Sequence, residues 1–154
     1  MQAEKTPFGF MLVLEPGDEL IRTLTAVARQ EDIDGATIAG SGRVHELELG
    51  FYDPLTGACT RRNFREHLEM CSLIGTVPLV DGEPFPQLHG VFGRGDFTTI
   101  GGQVFEAVCG ELIEVGVYTM VTPFVRKLER STITSQQPSG QLALHWEKRQ
   151  EPRA

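Results

Sequence analysis

QLHGVFGRGDFTTIGGQVFEAVC, residues 87–109, places two apolar segments on either side of a glycine-rich turn. Residues 87–92 and 101–109 are rich in the apolar and β-branched side chains that strands favour. Between them, Gly93-Arg94-Gly95-Asp96 has the residue types of a tight turn. This stretch therefore predicts an antiparallel hairpin, and it indicates that the fold is built around an antiparallel sheet.

The predicted hairpin brings three polar side chains together. Gln87 and His89 are two residues apart, so both point to the same face of their strand. If the turn centres near Asp96, His89 lies opposite Gln103 on the second strand. Gln87, His89 and Gln103 thus form a predicted ligand-binding patch, in which His89 is the first candidate for a catalytic acid or base. The alternative is that His89 is a hydrogen-bonded residue at a subunit boundary.

An amphipathic helix precedes most of the predicted strands. Its apolar residues share one stripe at helical spacing, namely Leu20, Ile21, Leu24, Val27 and Ala28. Asp18 is placed where its side chain would cap the first free amides. Residues 8–14, 46–51, 59–64, 67–79 and 112–121 are further strand candidates. One main amphipathic helix packed on a mostly antiparallel β-sheet predicts the α+β class.

Particular residues in these strands carry expectations of their own. Leu47, Leu49 and Phe51 alternate with polar residues or glycine, which predicts that all three face the core of a half-buried strand. Gly75 interrupts the 67–79 segment and indicates a bulge or a close approach of another backbone.

Two glutamates lie within apolar strand segments and have two interpretations each. Glu69 follows Leu68, and Glu106 lies between Phe105 and Ala107. A carboxylate held in apolar surroundings can act as a general acid or base, so Glu69 is the second catalytic candidate. The alternative is that strand alternation turns each glutamate into water.

The three cysteines are Cys59, Cys71 and Cys109, and no two of them form a CxxC pair. An odd number of widely spaced cysteines argues against a secreted disulfide framework. Cys71 and Cys109 lie in apolar segments, so we predict that both are core residues.

The charge balance disfavours tight binding to nucleic acid. The chain carries a formal net charge of −7, whereas affinity for DNA depends on neutralising phosphates with lysine and arginine. The candidate phosphate contacts are Arg61, Arg62, Arg65 and Arg94. The alternative for the first three is a charged strand edge that prevents edge-to-edge pairing. Arg94 lies in Gly93-Arg94-Gly95, which lacks the proline and flanking basic residues of an AT-hook.

Four motifs follow one another in a fixed order. They are Phe51-Tyr52-Asp53-Pro54, Leu68-Glu69-Met70-Cys71-Ser72-Leu73-Ile74-Gly75, Asp81-Gly82-Glu83-Pro84-Phe85-Pro86-Gln87-Leu88-His89-Gly90 and Gly101-Gly102-Gln103-Val104-Phe105-Glu106-Ala107. This order resembles the PPC (plant and prokaryote conserved) domain family over about residues 8–128. The resemblance implies a prokaryotic single-domain member without an AT-hook, an antiparallel sheet with a helix packed on it, and assembly as a homotrimer.

The resemblance also implies a position for zinc. Many prokaryotic PPC-like proteins carry histidine where this chain has Gln87, His89 and Gln103, and three imidazoles with an open fourth position suit a catalytic zinc ion. Glutamine offers only a neutral carbonyl, a much weaker ligand for zinc than imidazole. Of the family's three histidines, this chain therefore keeps only His89.

Three functions follow from these observations. The leading hypothesis, implied by the resemblance, is a DNA-associated regulatory protein. The alternative is a small-ligand-binding protein or a lyase- or hydrolase-type enzyme that uses the patch around His89. Between enzyme and non-enzyme, the residues favour a protein that is not an enzyme. The third is an assembly module without chemistry.

A chain of 154 residues fits one domain, which we predict to have a core at about residues 8–128 and a C-terminal extension at 129–154. The first residues include Glu4 and Lys5 and lack the apolar core of a signal peptide. No apolar run approaches the roughly 20 residues that cross a bilayer. We therefore predict a cytoplasmic protein.

Overall fold

The structure is a computed structural model that describes residues 1–121 and the backbone of Val125–Arg126 and Trp146–Glu147. In these ranges the chain forms one helix, α1 (Leu20–Gln30). The strands are β1 (Gln2–Thr6), β2 (Gly9–Leu14), β3 (Ala36–Tyr52), β4 (Cys59–Phe64), β5 (Leu68–Val77), β6 (Leu79–Val80), β7 (Glu83–Pro84), β8 (Gln87–Gly93), β9 (Thr99–Thr119), β10 (Val125–Arg126) and β11 (Trp146–Glu147).

Seven strands form the main sheet, in the order β1-β2-β9-β8-β5-β3-β4. β9 also pairs with β3, so that β3, β5, β8 and β9 close into a ring of antiparallel pairs. The register between β3 and β9 shifts at several bulges. Because bulges bend a strand and increase its twist, these two long strands can curve enough to close the ring. The short strands β6, β7, β10 and β11 form a second sheet.

The hydrophobic core fills the inside of this ring and the space beneath α1. Inward-facing residues such as Met70, Leu88 and Phe92 are fully buried. The helix contributes Leu20, Leu24, Val27 and Ala28, which are buried, while Ile21 is half-buried. The predicted apolar stripe and the α+β class with one helix on an antiparallel sheet are therefore confirmed. Burying one such leucine or methionine stabilises the fold by about 1.5–3 kcal/mol.

Two strand predictions differ from the structure. Residues 101–109 and 112–121 were expected to be separate strands, but β9 runs through both as one element. Gly110 does not break it, because the strand stays paired with β3 on both sides of that residue. In addition, β1 was not predicted, since its residues are all exposed and carry no apolar alternation. β1 forms because its backbone pairs with that of β2.

Phe51 was expected to face the core, but its side chain is 68% exposed. The pairing between β3 and β9 ends at Gly50, so Phe51 lies beyond the closed ring and pairs only with Thr60 on β4. Leu47 and Leu49, which lie within the ring, are buried as predicted.

The predicted helix cap at Asp18 was also wrong. The N-terminal cap position is Glu19, whose side chain makes no capping hydrogen bond. Oδ2 of Asp18 instead accepts a hydrogen bond of 2.9 Å from the amide of Glu15, which precedes the helix. The amide of Ile21 is satisfied by Glu106 on β9, a partner that local sequence cannot reveal.

Within the described ranges, α1 falls short of the length and apolar content that a membrane-spanning helix needs, and no other helix is present there. The predicted C-terminal extension, residues 129–154, lies outside the described residues apart from Trp146–Glu147.

Candidate functional site

The hairpin of β8 and β9 has the register that the sequence predicts. His89 lies directly opposite Gln103, flanked by the pairs Leu88–Val104 and Gly90–Gly102. Leu88 and Val104 are buried, so His89 and Gln103 occupy the opposite, outer face of the sheet. The geometry of this part of the patch agrees with the prediction, while its binding role stays a prediction.

Gln87 is the third residue of the patch and lies two positions before His89 on β8. It pairs with Thr76 of β5, as His89 pairs with Ile74. His89 is exposed, and Gln87 and Gln103 are half-buried. Among the described residues, these three side chains make no hydrogen bond or ion pair. Their polar atoms are therefore available to a ligand or to another subunit.

Apolar side chains surround His89 on the same outer face. Ile74, directly opposite it on β5, is 60% exposed, and Val91 is 44% exposed. Exposed apolar residues grouped on a sheet face are typical of surfaces that another molecule covers. The patch is therefore a polar centre within an apolar sheet face.

The donor set does not fit a zinc site of the family type. Gln87 and Gln103 offer amide oxygens, so His89 is the only imidazole in the patch, and zinc prefers nitrogen and sulfur ligands. In the part of the chain that the structure describes, no group of three or more His, Cys, Asp or Glu side chains is arranged to hold a metal ion. The patch therefore lacks the ligands that a catalytic zinc ion requires.

The two catalytic candidates lie apart. Glu69 pairs with Gly93, four residues along β8 from His89. At about 3.3 Å per residue, this places the two positions roughly 13 Å apart along the sheet. Leu68 and Met70 are buried while Glu69 is exposed, as its solvent-facing interpretation predicts. His89 and Glu69 of one chain therefore do not form an acid–base pair.

Glu106 has a structural role that neither interpretation anticipated. Its Oε1 accepts hydrogen bonds from the amide of Ile21, at 3.0 Å, and from its own neighbour Ala107, at 2.9 Å. Burial raises the pKa of this carboxyl, and the two amide donors oppose that shift. Glu106 therefore caps α1 from the sheet.

The four candidate phosphate contacts fall into two groups. Arg61 lies 3.5 Å from Glu48, and its guanidinium carbon is 3.6 Å from the centre of the Phe105 ring. Arg94 donates two hydrogen bonds to the carboxylate of Glu66, at 2.9 and 3.0 Å, and these bonds lower the pKa of Glu66. By contrast, Arg62 and Arg65 are exposed and have no ion-pair partner among the described residues.

One of the two cysteine predictions is wrong. Cys109 is buried as expected, but Cys71 is exposed. The register of β5 against β8 shifts between Met70 and Ser72, so Cys71 occupies a bulge. Cys71 follows the buried residues Leu68 and Met70 in strand alternation, so its thiol lies on the outer face with Glu69. The Sγ atom donates a weak hydrogen bond to the carbonyl of Glu69 at 3.5 Å.

A cleft of about 790 Å³ that the sequence does not predict lies at the C-terminal end of β8. Its charged lining residues are Arg43, Glu69, Arg94 and Glu111, and Phe97 and several glycines complete the walls. The local signal was weak, because Arg43 comes from β3 and Glu111 lies far along β9 from the hairpin turn. Only the sheet register brings them together.

Comparison with known proteins identifies relatives of this fold. No functionally curated protein matches the chain significantly. A candidate DNA-binding protein from Ralstonia eutropha JMP134 is 26% identical, with a TM-score of 0.80 over 94% of this chain and 96% of that one. A candidate DNA-binding protein from Bacteroides thetaiotaomicron VPI-5482 is 23% identical, with a TM-score of 0.84 over 96% of this chain and 98% of that one.

A plant- and prokaryote-conserved protein from Pyrococcus horikoshii has the same fold. It is 24% identical, with a TM-score of 0.74 over 97% of this chain and 96% of that one. The profile of the Plants and Prokaryotes Conserved (PCC) domain, the family that the four motifs indicated, matches residues 1–121. The chain therefore belongs to the PCC domain family.

Proposed function

We propose that this protein is a DNA-associated regulatory protein of the PCC family that acts as a homotrimer in the cytoplasm. The observation that carries the proposal is its likeness to the Ralstonia eutropha candidate DNA-binding protein, which extends over 94% of this chain. In this proposal the chain is a single domain with its core at about residues 8–128.

Arg62 and Arg65 are the proposed contacts with DNA. Their side chains are exposed and lack partners among the described residues, so their binding to phosphate need not break an internal ion pair. Arg61 and Arg94 are already held by Glu48 and Glu66, which makes them weaker candidates. Arginine contacts to phosphate position a protein on DNA without reading its sequence. We therefore propose binding with little base specificity.

The outer sheet face around His89 is the proposed contact between subunits. Ile74 and Val91 are exposed apolar residues there, and burying them against another copy removes them from water. A homotrimer would present three pairs of Arg62 and Arg65 on one particle. This repetition would concentrate positive charge locally on a chain whose net charge is −7.

The test is fluorescence anisotropy of the full chain against A·T-rich and G·C-rich duplexes over a range of salt concentrations. The slope of log affinity against log salt should be about −2 if one pair of arginines neutralises two phosphates, and about −5 if three pairs engage. Arg62→Gln with Arg65→Gln should abolish this binding, whereas Arg22→Gln on α1 is the matched control. Failure to bind either duplex at low salt would overturn the DNA proposal.

A second candidate function rests on the His89–Gln103 register. Three polar side chains without partners among the described residues share one face, an arrangement suited to a small polar ligand or to lyase- or hydrolase-type chemistry. In that case His89 would be the acid, base or ligand-binding group. Loss of ligand binding in His89→Ala, with assembly unchanged, would support this function, and full retention would exclude it. A protein that binds neither DNA nor ligand but still assembles would be an assembly module.

A further inference from the structure

The cleft at the end of β8 has a balanced charge. Two cations, Arg43 and Arg94, and two anions, Glu69 and Glu111, line it. A ligand with a single net charge would meet as much repulsion as attraction from these four groups. A neutral ligand that carries both charges fits the set better, because each of its ends has a complementary partner.

The sheet register orders these groups along one row. Arg43 of β3 lies opposite Glu69 of β5, Glu69 opposite Gly93 of β8, and Gly93 opposite Thr99 of β9. Neighbouring strands are about 4.8 Å apart, so Arg43 and Glu69 offer a positive and a negative group one strand apart. An α-carboxylate and an α-ammonium, which share one carbon atom, have comparable spacing.

Both groups retain the capacity to bind a ligand. Arg43 uses Nη1 for its hydrogen bond to Glu111, which leaves its other N–H donors available. Glu69 has no hydrogen bond or ion pair through its side chain among the described residues. The next position in the row is Gly93, where a Cβ atom would lie 3.1 Å from Sγ of Cys71, so a glycine and a thiol form the floor of the cleft beside Glu69.

Phe97 lines the same cleft and is unfavourable there in two respects. Its backbone has φ of +65°, a left-handed conformation that disfavours a bulky residue, and its side chain is 94% exposed. Glycine would adopt this turn conformation with less strain. A strained, exposed aromatic residue is a functional signal when it lines a cleft, since a bound ligand can cover the ring.

We propose that this cleft binds a free α-amino acid with an aromatic side chain. The carboxylate binds Arg43, the ammonium binds Glu69, and the side chain passes over Gly93 and Cys71 to pack against Phe97. Aromatic rings prefer offset or edge-to-face packing on one another, which favours an aromatic side chain over an aliphatic one. The cleft residues differ from those assigned to the DNA and subunit surfaces above.

The test is titration calorimetry of the full chain with L-phenylalanine as the probe. Saturable binding with one site per chain is expected, with a dissociation constant of about 1 mM or tighter. 3-Phenylpropionate lacks the ammonium and phenethylamine lacks the carboxylate, so both should bind more weakly. Absence of saturable binding up to about 10 mM would overturn the proposal, as would equal binding of either analogue.

Variants test the assigned roles. Arg43→Gln and Glu69→Gln should each weaken L-phenylalanine binding by at least about threefold, whereas Glu114→Gln, an exposed carboxylate outside the cleft, should not. Phe97→Gly should weaken binding while leaving the melting temperature unchanged or higher, because it relieves the left-handed backbone. Undiminished binding in all three cleft variants would overturn the site. L-Leucine binding as tightly as L-phenylalanine would overturn the aromatic preference.

Discussion

Oε1 of Glu106 accepts a hydrogen bond from the backbone amide of Ile21, 3.0 Å away, although the two residues are 85 positions apart in the chain. Ile21 lies in the first turn of α1, where backbone amides have no partner within the helix. Glu19 at the cap position leaves its own side chain unused for capping. The sheet therefore supplies the cap that the local sequence lacks, and the same bond fixes α1 onto β9.

Two substitutions at Glu106 distinguish the stability that comes from its capping hydrogen bond from the stability that comes from its charge. Glu106→Ala removes the acceptor of the Ile21 amide and should lower the free energy of unfolding by about 1 kcal/mol at neutral pH. Glu106→Gln keeps a carbonyl oxygen at the same position and should be close to the parent protein. Urea unfolding followed by circular dichroism measures both. Equal stability of the alanine and glutamine variants would contradict the capping role.

The same carboxyl should make stability depend on pH. Burial raises the pKa of Glu106 above its ordinary value near 4.5, so the folded protein holds this proton more tightly than the unfolded chain. The resulting stabilisation is fully present below the unfolded pKa and is lost as pH rises through the raised folded pKa. Unfolding curves across this range should show a decline that Glu106→Gln reduces. An identical pH profile in both proteins would refute the assignment.

Removing Arg94 should change the titration of Glu66. The hydrogen bonds from Arg94 lower the pKa of Glu66, so Arg94→Gln should return it towards its ordinary value near 4.5. Carbon-detected NMR titration of the glutamate carboxyls measures this shift directly. Arg62→Gln, which removes an arginine without a partner among the described residues, is the matched control. A Glu66 pKa that does not respond to Arg94→Gln would show that the ion pair does not persist in solution.

Gly75 should not tolerate even a methyl group. A Cβ atom at this position would lie 2.2 Å from the carbonyl oxygen of Gln87 and 2.7 Å from Cδ2 of Leu88. Because the oxygen belongs to the backbone of a paired strand, Gly75→Ala should reduce stability by about 1–3 kcal/mol. Gly95→Ala is the control, since no atom lies within 4 Å of its would-be Cβ. Thermal unfolding of the two variants should differ clearly, and equal melting temperatures would contradict the close approach.

A charge at Ile74 should prevent assembly if the face around His89 is the subunit contact. Ile74→Lys would place an ammonium within an apolar surface, and burial of an unpaired charge is costly. Light scattering should then shift from three times the 17.0 kDa of one chain to a single chain. Leu55→Lys alters a side chain that is 93% exposed outside this face and should leave the mass unchanged. A trimer that survives Ile74→Lys would place the contact elsewhere.

The features that the sequence predicted correctly depend on short-range patterns. The helical stripe of Leu20 to Ala28 and the position of His89 opposite Gln103 follow from residue spacing and from one turn. Gly75 within the apolar segment 67–79 predicted a bulge or a close approach of another backbone, and the structure has the close approach.

The features that it missed depend on partners far along the chain. The apolar segment around Cys71 predicted a core residue, whereas alternation from the buried Leu68 and Met70 places its thiol on the outer face. Arg61 and Arg94 were candidate phosphate contacts in the sequence. In the folded chain, Arg61 forms an ion pair with Glu48 and Arg94 forms one with Glu66.

Local sequence patterns were enough to predict the class of the fold, its family and the composition of the polar patch, because periodicity and turn residues act over a few positions. Which side chains meet depends on the tertiary structure. Closure of β3, β5, β8 and β9 into a ring places Glu106 at the helix and Arg43 beside Glu69. These contacts join residues separated by many positions, and their geometry is fixed by strand register and bulges rather than by local preference.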